Sequence, residues 1–227
     1  MSIKSKVVAA AATATLVGGL GVAGMTSAQA ATPSCGHSCI DIFSRTFGTH
    51  HRPNFVLDVF RGTKAAGTAI ILYRTSNSDA AEDFTVSNQG TVNDFFQAGL
   101  VSAALNLHYG SDEAYEIEYS PLGADSGLCM GVGSTAANLT PVVLEPCGVS
   151  AKTVWVVDSA DTIAGGYVPL INGSDTNFSH PYVLHYPGNG YPTDVPRPQL
   201  NTYELQKYSN GAVFDNELWG ANFGVLP

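Results

Sequence analysis

Residues 128–157 read LCMGVGSTAANLTPVVLEPCGVSAKTVWVV, and a weaker copy stands upstream at residues 56–86, VLDVFRGTKAAGTAIILYRTSNSDAAEDFTV. Thr68 to Leu72 aligns with Thr140 to Leu144, Leu57-Asp58-Val59 with Met130-Gly131-Val132, and Phe84 with Trp155. A unit of this length cannot bury its own apolar face. Repetition therefore predicts several units sharing one core. Within each copy the apolar residues come in short runs bounded by Gly, Ser, Asn and Asp, the signature of strands and tight turns.

The same pattern extends outward. Ile40 to Phe43, Phe55 to Phe60, Ala69 to Tyr73 and Phe84 to Ser87 read as strands. Tyr115, Ile117 and Tyr119 alternate with Glu116 and Glu118, which places the two sets on opposite faces. Between the copies, residues 88–127 depart from the repeat. A short helix is expected within Thr91 to Leu105, turning Phe95, Leu100 and Leu105 inward, with Gly99 weakening it. A second departure, the Pro- and Gly-rich stretch 186–198, reads as a long constrained loop with Tyr182, Tyr186, Tyr191, Asn189 and Asp194 as a candidate recognition surface.

The first thirty residues stand apart from the fold. Lys4 and Lys6 precede an Ala/Val/Leu/Gly run that ends in Ala28-Gln29-Ala30, the pattern of a secretory leader cut after Ala30. Residues 31–227 are then expected to form one exported, extracellular domain. Removing the leader leaves eight basic side chains against nineteen acidic ones, a formal charge of −11. That charge disfavours nucleic acid and anionic membranes as partners. Four cysteines in an exported chain read as two disulfides. Cys129 and Cys147 frame one copy and are expected to pair, which leaves Cys35 with Cys39.

Chemistry-bearing motifs are sparse. There is no Gly-x-Ser-x-Gly elbow, His-Glu-x-x-His pair or phosphate-cradling glycine loop, and no metal or cofactor is expected. Adjacent His50 and His51 on a strand would face opposite ways. The densest polar cluster is His108 to Glu113 with Glu116 and Glu118. Two carboxylates at i and i+2 lie about 7 Å apart, a spacing compatible with glycoside hydrolysis. The competing reading is the charged outer face of an edge strand.

Cys129-Met130-Gly131-Val132, Thr140 to Leu144, Pro146-Cys147 and Trp155 together resemble one lobe of a ricin-type β-trefoil lectin. The closing Gln-x-Trp of that family is degenerate here, as Glu82-Asp83-Phe84, Thr153-Val154-Trp155 and Glu217-Leu218-Trp219. Secreted actinobacterial proteins of this type look similar too. The resemblance implies an all-β chain of three pseudo-symmetric lobes with insertions, with Phe84, Trp155 and Trp219 around a common axis. It also implies a monomeric, non-catalytic carbohydrate binder. Carried over by position, the sugar-binding Asp and aromatic are Asp58 and Tyr73 in the first lobe. Ala81 stands at the expected Asn, so Asn77 is the candidate for that contact. In the second lobe Gly131 and Glu145 occupy the two positions. The third keeps Asn216, while the register around His185 stays open. The alternatives are a secreted glycan hydrolase using Glu116 and Glu118, with His108, and a protein-interaction or inhibitor trefoil.

Overall fold

The computed structural model describes residues 39–49, 52–53, 55–76, 79–161, 166–188 and 198–223. The first lobe holds β1 (Ile40–Ser44), a small hairpin of β2 (Gly48–Thr49) and β3 (Arg52–Pro53), then β4 (Phe55–Val59), β5 (Ile70–Arg74) and β6 (Phe84–Thr91). Two helices, α1 (Val92–Gln97) and α2 (Ala103–Tyr109), follow. The second lobe is β7 (Glu113–Tyr119), β8 (Leu128–Val132), β9 (Thr140–Pro146) and β10 (Val154–Val157). The third is β11 (Leu170–Asn172), β12 (Tyr182–His185), β13 (Asn201–Glu204) and β14 (Trp219–Phe223).

The first and last strands of each lobe close into a barrel. β1 pairs with β6, β6 with β7, β7 with β10, β10 with β11 and β14 with β1, and a bridge between Val168 and Trp219 completes the ring. The inner hairpins β4–β5, β8–β9 and β12–β13 meet over one end of it. There the Val142 amide donates to the Leu200 carbonyl, the Leu200 amide to Ile70, and the Leu144 amide to Thr68. Strands of the three hairpins thus bond to one another's backbone at the axis.

Phe84, Trp155 and Trp219 are fully buried in one cluster with Leu57, Met130 and Leu184. The two indoles donate to equivalent carbonyls, Trp155 Nε1 to Met130 at 2.9 Å and Trp219 Nε1 to Leu184 at 2.8 Å. Phenylalanine at position 84 has no such donor, so the first lobe closes by packing alone. The shared centre expected from the repeat is present.

The departure after the first lobe is two helices rather than one. Thr91 caps α1 through a reciprocal pair of bonds with Asp94, and Gly99, at φ +77°, ends it before Ser102 caps α2. Phe95 and Leu105 are buried as expected, against Val154, Val156, Ile171 and Val183. This explains the unbroken apolar run of β10. Trp155 faces the barrel while Val154 and Val156 lie beneath the helices.

A second correction concerns β7, which is not an edge strand. It pairs with β6, β8 and β10, and Glu116 and Glu118 are 2% and 7% exposed. The Cys129–Cys147 disulfide forms as expected. Cys39 is also disulfide-bonded, while Cys35 lies outside the described residues. Replacing Cys129 and Cys147 with alanine is expected to cost about 3 kcal/mol in chemical denaturation, since the bridge closes an 18-residue separation. A loss below about 1 kcal/mol would mean that the strands already restrain this loop. Among the described residues no helix is long and apolar enough to cross a membrane, and this is compatible with an exported chain.

Candidate functional site

Asp58 is the penultimate residue of β4 and Tyr73 the penultimate residue of β5. Val56 pairs with Tyr73 and Asp58 with Ile71, so the hairpin register puts Asp58 and Tyr73 on one face as diagonal neighbours. Together with Arg61, Asp79, Ala81 and Tyr119 they line a cleft of about 540 Å3. Asn77, the third expected site residue, lies outside the described residues.

Two turns form the rim of this cleft. Arg61 adopts φ +59° and Leu122 φ +58°, a left-handed conformation that costs a non-glycine residue free energy and needs local support. Leu122 has such support, because its amide donates to Asp83 Oδ2 at 2.7 Å. Tyr119 Oη donates to the Gly62 carbonyl at 3.4 Å beside Arg61. The Arg61 guanidinium lies 5.0 Å from the Phe60 ring centroid. Below the cleft, Glu82 is buried. Its carboxyl receives the Ser76 amide and the Thr75 hydroxyl, and burial, with the charge of Asp58, pushes its pKa up to about 8. It stands at the glutamine of the degenerate closing motif. At neutral pH it is protonated there, and so presents a neutral side chain with one donor and one acceptor, as glutamine would.

The hairpin registers also settle the equivalent positions in the other lobes. Gly131 pairs with Val143 as Asp58 pairs with Ile71, and Glu145 takes the place of Tyr73. A Cβ at Gly131 would sit 3.0 Å from the Lys152 carbonyl oxygen, a tight contact that a side chain there would have to relieve by shifting its neighbours. In the third lobe His185 pairs with Asn201 and stands where Asp58 stands, with Tyr203 as the aromatic and Asn216 as the amide. This trio is bonded to itself. His185 Nδ1 lies 2.8 Å from Asn201 Oδ1 and Nε2 lies 3.0 Å from Asn216 Nδ2. Its ring is 5.1 Å from that of Tyr203. Burial lowers the imidazole pKa, with the Asn201 bond opposing.

The other candidates have structural partners. Glu116 Oε1 accepts from Thr153 Oγ1 at 2.6 Å and from the Gly148 amide at 2.8 Å, and Glu118 Oε1 accepts from the Gly127 amide at 2.6 Å. Both tie loops to the barrel. His108 stacks on Phe178 at 4.4 Å. Tyr186 is buried edge-on against Phe47 and belongs to the core. His50, His51, Asn189, Tyr191 and Asp194 lie outside the described residues. Among the described residues, no group of three His, Cys, Asp or Glu is placed to hold a metal ion.

No family model and no curated protein matches this sequence. Solved structures do match. A designed three-fold symmetric protein, ThreeFoil, superposes at TM-score 0.52 and 14% identity, over 81% of this chain and 97% of that one. An exo-β-1,3-galactanase from Clostridium thermocellum superposes at TM-score 0.52 and 11% identity, over 82% of this chain and 30% of the galactanase. The Rhizoctonia solani agglutinin is similar at TM-score 0.47 and 16% identity, over 82% and 95%. The chain has a β-trefoil fold. Within this trefoil the first lobe alone combines a carboxylate at the end of the inner hairpin strand with an aromatic across from it. Arg61, Asp79 and Glu82 were not singled out as site residues in the sequence. The only trace of Arg61 there is its place in the turn before Gly62.

Proposed function

We propose that this trefoil is an exported, monomeric, non-catalytic carbohydrate-binding module that works through its first lobe. The observation that carries the reading is the cleft shared by Asp58 and Tyr73, diagonal neighbours on one face of the hairpin that line one concavity. A carboxylate there accepts hydrogen bonds from neighbouring sugar hydroxyls, and the tyrosine ring covers the apolar sugar face. Arg61 and Asp79 supply further polar contacts at the rim. The second lobe supports a single working site, since it has glycine and glutamate at the positions of the carboxylate and the aromatic. The buried, backbone-bonded states of Glu116 and Glu118 favour binding over hydrolysis. The acidic surface argues against nucleic acid and anionic membranes as partners.

A polysaccharide pull-down followed by a glycan array tests this. Asp58→Ala is expected to weaken binding about 10- to 100-fold, the loss of charged hydrogen bonds to hydroxyls, and, because Asp58 is buried, to lower the thermal midpoint, so binding is compared at a temperature where both chains are folded. Tyr73→Ala is expected to lose binding similarly. Folded variants that retain parental glycan binding would remove this site.

A further inference from the structure

At the end of the barrel opposite the hairpin cap lies a second cavity of about 250 Å3. We propose that it takes the hydrocarbon tail of a small neutral amphiphile, a chain of about eight carbons. This inference is independent of the sugar site.

The cavity arises from a break in the pseudo-threefold pattern. The outermost inward positions of the three closing strands are Val86, Val157 and Ala221. Each lies across from the next layer, Val86 from Ile117, Val157 from Leu170 and Ala221 from Ile42. Two lobes put valine at this position and the third puts alanine, with Gly220 beside it. The missing volume opens a pocket floored by Trp219. Among the described residues its walls offer water almost nothing to bond to, because the Tyr115 hydroxyl already donates to Glu113 Oε2 at 2.6 Å. An apolar cavity of roughly 150 Å3 stays dry and admits benzene, so one somewhat larger accommodates a longer hydrocarbon. The cavity is open on one side, so the ligand's polar end would sit at the mouth. The Glu113 carboxylate, bonded to the lining Tyr115, and a chain of formal charge −9 disfavour an anionic head group. Hydrophobicity supplies the attraction and charge selects the head.

The test is titration of the purified chain with 1-octanol and with octanoate, followed by methyl NMR shifts and calorimetry. Octanol is expected to bind with a negative heat-capacity change and to shift the methyls of Ile42, Ile117 and Leu170. Octanoate is expected to bind at least tenfold more weakly. Ala221→Leu, which restores the missing side chain, should weaken octanol uptake at least tenfold without lowering the thermal midpoint, and Val157→Phe fills the cavity from another wall as a second variant. Asp58→Ala should leave uptake unchanged, which separates this result from any outcome at the sugar site. No uptake by the parent chain, shifts confined to other methyls, or parental affinity in a folded filled variant would each overturn the proposal. Equal binding of octanoate would overturn the neutral head group.

Discussion

Trp155→Ala is expected to lose about 3–5 kcal/mol of folding stability, enough to bring a domain of ordinary stability close to unfolding at room temperature. The side chain is fully buried at the meeting point of the second and third lobes, so truncation leaves a cavity that the rigid barrel cannot collapse. It also strands the Met130 carbonyl, which accepts the indole N–H at 2.9 Å. Trp155→Phe separates the two effects. It keeps most of the ring volume and loses the donor, so it should cost about 1–3 kcal/mol. The first lobe shows that phenylalanine can close a unit, since Phe84 does so. Urea denaturation checks both variants through the midpoint, with the slope unchanged. A loss below about 1 kcal/mol for the alanine variant would mean that the three lobes do not share one core.

The ease with which the fold was read follows from the same residues. Strands of the second lobe are short apolar runs fixed between turn residues, and Trp155 marks their common centre. The third lobe is harder. Asn201 and Thr202 stand where the second lobe has Val143 and Leu144, and His185 replaces the aspartate, so neither hydrophobic pattern nor charge fixes its register. Only the pairing of His185 with Asn201 does so. The carboxylates of β7 misled for a different reason. A strand with alternate glutamates looks solvated, and the loop amides that cover them, Gly127 and Gly148, are distant in sequence and carry no side-chain signal. At the site, Asp58 and Tyr73 were legible because hairpin pairing is local. The rim was not, because Tyr119 and the 121–123 turn reach it from the next lobe.

Stability should fall as pH rises from 6.5 to 8, at up to about 1.4 kcal/mol per pH unit near pH 6.5 and about half that near pH 8 for each of two groups, Glu82 and Glu217. Both stand at the glutamine of the closing motif. Glu217 is fully buried. Its Oε2 receives the Gln206 amide at 2.8 Å, Oε1 has no hydrogen-bond partner among the described residues, and burial pushes the pKa from 4.5 up to about 8. At the lower end of this window the folded chain holds both protons and the unfolded chain has released them. Raising the pH therefore favours unfolding, until the folded state also ionises near pH 8. The stabilisation is complete below the ordinary glutamate range and is lost as pH climbs through the raised values. Asp41, pushed up to about 6 by burial and the charge of Asp83, completes its change at lower pH. His185, whose pKa is lowered by burial, acts with the opposite sign, up to and somewhat above the unfolded value of 6.5. Asp158 and Asp175 are also raised by burial, so the glutamate contribution is read as the difference between the parent and the glutamine variants. Glu217→Gln should make the slope shallower, and the double variant with Glu82→Gln shallower again, as denaturation midpoints at pH 6.5, 7.25 and 8 would show. Glutamine keeps the neutral shape with no proton to lose, so both variants should also gain stability at pH 8. A parental slope in the double variant would mean that these carboxyls ionise in the folded core at ordinary pH and are solvated there by water.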